Sequence, residues 1–120
     1  MKEPQNEKDV QGYLQTFFDV KEYDFLREKE NSDFSDKTFI PDFTQKELNI
    51  ALEVKFLNKK DKIKEIIEEM SADIQPYSKK WKNILFLVYD IGGNIRDVDY
   101  FTKDFIKDGN IMIRCIVIKH

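Results

Sequence analysis

The chain has 120 residues, of which 41% are hydrophobic and 36% are charged, and its formal net charge is −3. This length and apolar content suit one domain built around one core. Proteins that bind nucleic acid through charge alone are usually basic, so the acidic balance counts mildly against that class. It does not count against a metal-dependent site, because such a site itself requires acidic ligands.

Cysteine and histidine are each present once, as Cys115 and His120. A single cysteine excludes an internal disulfide and is typical of the reducing cytoplasm, where we expect the protein to lie. Within its apolar segment, Cys115 is predicted to be a small buried side chain rather than a reactive thiol. This composition also argues against Cys/His zinc sites and histidine-based triads. No apolar run is long enough to span a membrane, and we expect no membrane partner.

Residues 1–6 are polar and are expected to be a frayed end or a linker, with a single domain over residues 7–120. Apolar residues at helical spacing predict an amphipathic helix over residues 7–20: Val10, Tyr13, Leu14, Phe17 and Phe18.

The rest of the chain alternates between strand and helix patterns. Strands are predicted over residues 23–30, 39–44, 49–57, 84–89 and 111–118, and helices over residues 62–77 and 97–107. A polar loop is predicted over residues 31–37, and Gly109 is expected to end the last helix. The order α-β-β-β-α-β-α-β predicts an α/β fold with a mixed central sheet flanked by helices.

Two charged residues, Glu53 and Lys55, lie two positions apart in the predicted strand 49–57. Side chains alternate along a strand, so both should project from one face. A hairpin with the preceding run, which contains Pro41 and Asp42, would bring Asp42 beside Glu53. Two carboxylates at one place favour a divalent cation such as Mg²⁺, which prefers oxygen ligands. The alternative is an exposed salt bridge on an edge strand, which would contribute little.

A metal held by these carboxylates could activate a water molecule and stabilise the charge that develops during phosphoryl transfer. Lys55 would then orient the water or neutralise that charge. On the helix 62–77, like charges four residues apart (Glu65, Glu69 and Asp73) would destabilise an isolated helix, so lysines or a cation should lie nearby. A solvated helix face remains the alternative. Tyr77 and Gln75 could also point toward the site.

Lysine-rich segments that include Lys60, Lys79 and Lys80 are candidates for contact with a nucleic-acid backbone, together with the neighbouring Trp81. The alternative is that the lysines are solvated and Trp81 packs at the rim of the domain. Asp90, which precedes a glycine pair, is most simply a turn residue.

Pro41-Asp42 followed by Glu53-Val54-Lys55, in this order of elements, resembles the PD-(D/E)XK nuclease superfamily. The stretches 52–55, 65–77 and 86–90 resemble the catalytic domains of DpnII/MboI-type restriction enzymes and small C-terminal nuclease domains of bacterial proteins. The resemblance runs from about residue 7 to the C-terminus and implies a restriction-endonuclease-like fold.

By this resemblance, Asp42 and Glu53 would bind Mg²⁺ or Mn²⁺, the backbone carbonyl of Val54 would complete the metal shell, and Lys55 would assist the attacking water. Some members use a glutamate on the first helix, and Glu7 is the closest match here. Glu3 and Asp9 lie near it in sequence, and the helix dipole offers a purely structural role for Glu7 and Asp9.

We therefore expect a Mg²⁺-dependent phosphodiesterase, an endonuclease that cuts DNA in bacterial restriction or phage defence. RNA is a further possible substrate. The alternative is a non-catalytic nucleic-acid-binding or assembly module on the same fold. A domain of this size has no evident element for reading base sequence, so a homodimer or a fused N-terminal domain would supply specificity.

Overall fold

The computed structural model describes residues 2–28 and 39–120. Its helices are α1 (Glu7–Lys21), α2 (Ile63–Ser78) and α3 (Val98–Thr102). Its strands are β1 (Leu26–Arg27), β2 (Phe43–Gln45), β3 (Ile50–Leu57), β4 (Asn83–Asp90) and β5 (Met112–Lys119). Short 3₁₀ segments, Lys60–Lys62 and Lys103–Phe105, precede α2 and follow α3. No helix within the described ranges is long and apolar enough to cross a membrane.

The described strands form one sheet in the order β1-β2-β3-β4-β5. β2 is antiparallel to both β1 and β3, whereas β4 is parallel to both β3 and β5. Helix α2 makes the connection between the parallel strands β3 and β4, as parallel pairing requires. The predicted mixed sheet and its order of elements are therefore confirmed.

The sheet separates two apolar clusters. α1 packs on one face, where Val10 and Phe18 bury Leu52 and Val54. α2 and α3 pack on the other face, around residues such as Leu57 of β3. Because side chains alternate along β3, Glu53 and Lys55 share a face with Leu57 and are directed toward α2.

The hairpin of β2 and β3 sets the position of the predicted acidic pair. Phe43 lies opposite Leu52, so Asp42, just before β2, comes level with Glu53. The predicted strand 39–44 was wrong in its extent, because β2 begins only at Phe43. Pro41 explains the late start, since it has no N–H group to donate to a strand ladder.

The first predicted strand is also shorter than expected. The predicted strand 23–30 is paired only at Leu26–Arg27 among the described residues. Before it, Glu22 ends α1 in the left-handed conformation with φ of 58°. Residues 29–30 and the predicted loop 31–37 lie outside the described residues.

The predicted helix 97–107 was wrong at its C-terminal end. α3 ends at Thr102 and continues as a 3₁₀ segment only to Phe105, which is 1% exposed. Lys107 then pairs with Ile113 across an antiparallel bridge, which draws the backbone away from the helix axis. Ile106 is half exposed as a result.

Candidate active site

The site is built on an edge of β3. The described pairing between β2 and β3 ends at Leu52. The backbone groups of β3 after Leu52 that point to this side are therefore not paired with β2. Asp42 Oδ2 accepts a hydrogen bond from the Val54 N–H at 2.7 Å. The Phe56 N–H, two residues further along β3, interacts with Glu7 and lowers the pKa of its carboxyl. Two carboxylates from separate elements therefore converge on one edge of β3.

The carbonyl of Val54 lies at the same edge. The N–H and C=O of one strand residue point to the same side of the strand, so this carbonyl is directed toward the side on which Asp42 lies. Val54 itself is fully buried, and its side chain belongs to the cluster under α1. The backbone oxygen is thus held by a rigid part of the sheet.

Glu53 and Lys55 lie on one face of β3, as predicted. The Lys55 Nζ is 3.5 Å from Glu53 Oε2 and 3.1 Å from Glu69 Oε1. Glu53 and Lys55 are only 9% and 7% exposed. The alternative of a solvent-exposed salt bridge is therefore wrong, and the charges of this pair are largely desolvated.

Helix α2 supplies a second row of polar groups over the same face. Tyr77 is buried, and its hydroxyl donates a hydrogen bond to Glu53 Oε1 at 3.1 Å. Glu69 binds Lys55, which confirms the prediction that a lysine lies near the like-charged residues of this helix. Asp73, one turn from both Glu69 and Tyr77, is 8% exposed.

Sequence reasoning assigned Asp73 and Glu69 to the polar face of α2 and not to the site. The available signal was their periodicity. Residues 69, 73 and 77 recur every four positions, and such residues lie on one stripe of a helix. Since Tyr77 was already a candidate, its stripe also pointed to Asp73 and Glu69.

Burial raises the pKa of the carboxyls in this site. The pKa of Glu53 rises to about 8, first through burial and then through repulsion from Asp42. Burial also raises the pKa of Asp42 and of Glu7. The charge of Lys55 opposes the rise at both carboxyls, and the Val54 N–H opposes it at Asp42. A further positive charge beside Glu53 would therefore favour its ionised form.

The pKa of Lys55 is raised, whereas burial alone would lower the pKa of a lysine. Burial lowers its pKa, but the charge of Glu53 and the hydrogen bond to Glu69 outweigh that effect and leave the pKa above its ordinary value. Lys55 therefore remains an ammonium group at neutral pH. It can donate hydrogen bonds and stabilise negative charge, but it cannot serve as a general base.

The structure separates the acidic candidates near the N-terminus. Glu7 lies at the site, where it interacts with Lys55. Asp9 instead accepts a hydrogen bond from the Gln5 N–H, in the first turn of α1. Glu3 Oε1 lies 3.5 Å from His120 Nδ1.

The remaining candidates are dispersed. Gln75 is exposed on α2, whereas Tyr77 faces the site. Lys79 and Lys80 follow the C-terminal end of α2, and Lys60 precedes its N-terminal end. The three lysines do not form one patch, because this helix of 16 residues separates them. Their contact with nucleic acid stays a prediction.

Other predictions concerned single residues. Cys115 is buried, as predicted, and burial raises the pKa of its thiol to about 12. Asp90 ends β4 and accepts hydrogen bonds from the loop that follows, as a turn residue does.

The donor chemistry of the site fits a hard divalent cation. The groups that converge are carboxylate and carbonyl oxygens, which Mg²⁺ and Mn²⁺ prefer, and the repulsion between Asp42 and Glu53 is what a cation relieves. Across residues 2–28 and 39–120, no three His, Cys, Asp or Glu side chains are grouped so as to hold a metal. The protein groups offered to a cation here would be two carboxylates and a main-chain oxygen.

Comparison with models of protein families gives a match. The family model for the DpnII-MboI restriction endonucleases matches residues 3–120. Neither a search of curated proteins nor a search of solved structures gave a match. Because the family model spans nearly the whole chain, this protein belongs to the DpnII/MboI restriction endonuclease family.

Proposed function

We propose that this protein is a metal-dependent endonuclease that hydrolyses DNA phosphodiester bonds in bacterial restriction or phage defence. The observation that carries the proposal is the convergence of Asp42, Glu53 and the protonated Lys55 at one edge of β3. Membership of a restriction endonuclease family supports a nuclease role with DNA as substrate.

Asp42, Glu53 and the Val54 carbonyl are the groups that would hold the metal, with Glu7 adjacent to them. A bound Mg²⁺ or Mn²⁺ supplies Lewis acidity and lowers the pKa of coordinated water. The main-chain N–H of Val54 holds Asp42 in place. The Tyr77 hydroxyl does the same for Glu53, so both carboxylates are oriented before a ligand arrives.

Lys55 contributes positive charge at the reacting phosphate. Its ammonium group lies between Glu53 and Glu69, and these carboxylates keep it protonated. An ammonium in a largely desolvated position stabilises the negative charge of the phosphoryl oxygens more strongly than one in water. Glu69 sets the direction of the Lys55 side chain.

The test is cleavage of plasmid DNA in Mg²⁺ or Mn²⁺ by the wild type, Asp42→Asn and Lys55→Met. We expect the wild type to cut, and each variant to cut at least about a hundredfold more slowly. Lys46→Gln is the matched control, because it removes one exposed lysine from the opposite end of β2. Cleavage by Asp42→Asn or Lys55→Met at the wild-type rate would contradict the site assignment.

A calorimetric titration of Mn²⁺ into the wild type and Asp42→Asn separates binding from cutting. We expect binding by the wild type and a loss of binding in the variant. If the wild type binds no metal, even with DNA present, the alternative of a non-catalytic binding module is favoured. Repeating the cleavage assay with RNA decides between the two nucleic acids.

A further inference from the structure

An open groove lies between α1 and β1, directly beside the candidate site. It has a volume of about 720 Å³, and Asp42 and Glu7 form part of its wall. This volume is in the range of ligand-binding clefts, roughly 300–1,000 Å³. From Glu7 the groove follows α1 for two turns to Gln15, which is roughly 12 Å at the rise of a helix.

The groove wall is polar and carries charges of both signs. Its cationic side chains are Lys8 and Arg27. Its carboxylates are Glu7 and Asp42, which belong to the candidate site, and Glu28, which accepts a hydrogen bond from the Thr44 hydroxyl. Beyond the acidic end, the lining therefore offers cations and amides, which are the groups that contact nucleic-acid phosphates and bases.

Arg27 is joined to the site through one amide. The Arg27 Nη2 donates a hydrogen bond to Gln11 Oε1 at 3.2 Å. The Gln11 side chain also interacts with Asp42 and lowers the pKa of that carboxyl. Gln11 therefore lies between a guanidinium on β1 and the carboxylate just before β2. Gln11 lies one helical turn after Glu7, so the same face of α1 carries both.

Arg27 is suited to a phosphate in a way that a lysine is not. A guanidinium has five N–H donors in a planar fork, and phosphate oxygens accept them in pairs. The bond to Gln11 fixes the direction of this fork, which reduces the conformational entropy lost on binding. The apolar Phe25 and Leu26 also line the groove and offer a surface for a sugar or a base.

Resting on the nuclease function proposed above, we propose that this groove holds the DNA strand next to the reacting phosphodiester, with Arg27 binding a neighbouring phosphate and Gln11 coupling Arg27 to Asp42. This assignment differs from the lysine-rich segments that the sequence suggested. Lys60, Lys79 and Lys80 do not line the groove. Gln11 is a positioning residue, because it acts through Arg27 and Asp42.

The experiment measures binding of a labelled DNA duplex by fluorescence anisotropy over a range of salt concentrations. Binding is followed in Ca²⁺, which takes the oxygen ligands that Mg²⁺ takes, and cleavage is followed in Mg²⁺. We expect Arg27→Gln to bind roughly tenfold more weakly than the wild type. The slope of log K against log salt should fall by about one, as the loss of one phosphate contact predicts.

Three further variants make the result specific. Arg27→Lys retains the charge, and should recover the salt slope but not the full affinity. Lys46→Gln removes one positive charge outside the groove and should leave the slope unchanged. Gln11→Ala should weaken binding in the wild type, but should add little in the Arg27→Gln background, because the two residues act together.

A wild-type salt slope in Arg27→Gln, or an equal fall in Lys46→Gln, would overturn the assignment. If Arg27→Gln is not folded by circular dichroism, the full wild-type affinity of Arg27→Lys together with wild-type affinity of Gln11→Ala would also overturn it. If the wild type binds and cuts DNA, and Arg27→Gln has the same DNA affinity and salt slope as the wild type, only this inference is refuted. A wild type that cuts no nucleic acid refutes the nuclease function as well.

Discussion

Two buried carboxylates in this protein lie in strongly contrasting surroundings. Asp90 at the end of β4 is 0% exposed, and Glu53 in β3 is 9% exposed. Asp90 accepts hydrogen bonds from the Asn94 N–H and side-chain amide, at 2.9 and 2.8 Å, and from the Ile95 N–H at 2.8 Å. Glu53 accepts a bond from one neutral donor, the Tyr77 hydroxyl.

Glu53 differs from Asp90 in the charged groups that lie near it. Asp42 and Asp73 raise its pKa, in addition to burial, and Lys55 compensates only in part. A carboxylate surrounded by N–H donors fixes a loop, whereas a carboxylate surrounded by other carboxylates is poised for a proton or a cation. Two carboxylates that are both buried can therefore have different roles.

The largest expected effect is on catalysis at Glu53. Glu53→Gln keeps the shape of the side chain but removes a metal-ligating charge, so DNA cleavage should fall roughly a thousandfold. The free energy of unfolding of the metal-free protein should stay the same or rise, because the repulsion from Asp42 is removed. Plasmid cleavage and urea unfolding measure the two quantities. A Glu53→Gln protein that is less stable but cuts DNA at the wild-type rate would show that Glu53, like Asp90, has a structural role.

Asp90→Ala should lower the stability of the protein and leave metal binding unchanged. It leaves buried N–H groups of the following loop without an acceptor, so the free energy of unfolding should fall by about 3 kcal/mol. Calorimetric affinity for Mn²⁺ should match that of the wild type. Asp90→Asn keeps an acceptor oxygen and should lose less stability. A specific loss of metal binding in Asp90→Ala, with stability unchanged, would contradict a structural role.

The pH dependence of stability should distinguish the site from the rest of the protein. The pKa of Glu53 is raised from 4.5 to about 8, and that of Asp73 from 3.8 to about 6. The folded protein thus holds these protons more tightly than the unfolded chain, so their contribution is complete below about pH 4 and is lost as the pH rises toward 8.

Urea unfolding of metal-free wild type and Glu53→Gln, from pH 5 to pH 8.5, measures this effect. The wild type should lose stability relative to the variant across that range, because only the wild type must ionise Glu53. Mn²⁺ should reduce the loss, since a bound cation favours the ionised carboxylate. A wild type that gains stability relative to the variant as the pH rises would show that Glu53 is already ionised in the fold.

The smallest expected effect is at Tyr77. Tyr77→Phe removes one hydrogen bond to Glu53 and keeps the ring in the core, at a cost of about 1 kcal/mol. Because that bond favours the ionised carboxylate, affinity for Mn²⁺ at pH 7 should fall roughly fivefold. Calorimetry measures the change, and Gln75→Ala on the exposed side of the same helix is the control. Equal effects of the two variants would argue against positioning by Tyr77.

The sequence predicted the parts of the site that depend on local geometry. Glu53 and Lys55 share a face because strand side chains alternate, and Asp42 comes level with Glu53 because a short hairpin joins their strands. The like charges on α2 correctly indicated a nearby lysine, which is Lys55. Each of these relations is set within one element or between neighbours along the chain.

The parts that escaped prediction depend on how elements pack. The placement of Asp73 over β3 follows from the rotation of α2 on the sheet, which no local pattern specifies. The early end of α3 follows from the burial of Phe105 and from the pairing of Lys107 with Ile113. The link from Arg27 to Asp42 depends on contacts between β1 and α1.

Glu69, Asp73 and Tyr77 lie on one stripe of α2. Through Glu69 and Tyr77, this single helix contacts both charged residues of β3, Lys55 and Glu53. One extra residue inserted between Glu69 and Tyr77 would rotate one end of the stripe by about 100° relative to the other. Lys55 and Glu53 could then no longer be held by the same helix. Substitutions on the outer surface of α2 leave this stripe in place, whereas a change in the length of the helix between these residues would separate the groups that hold the site together.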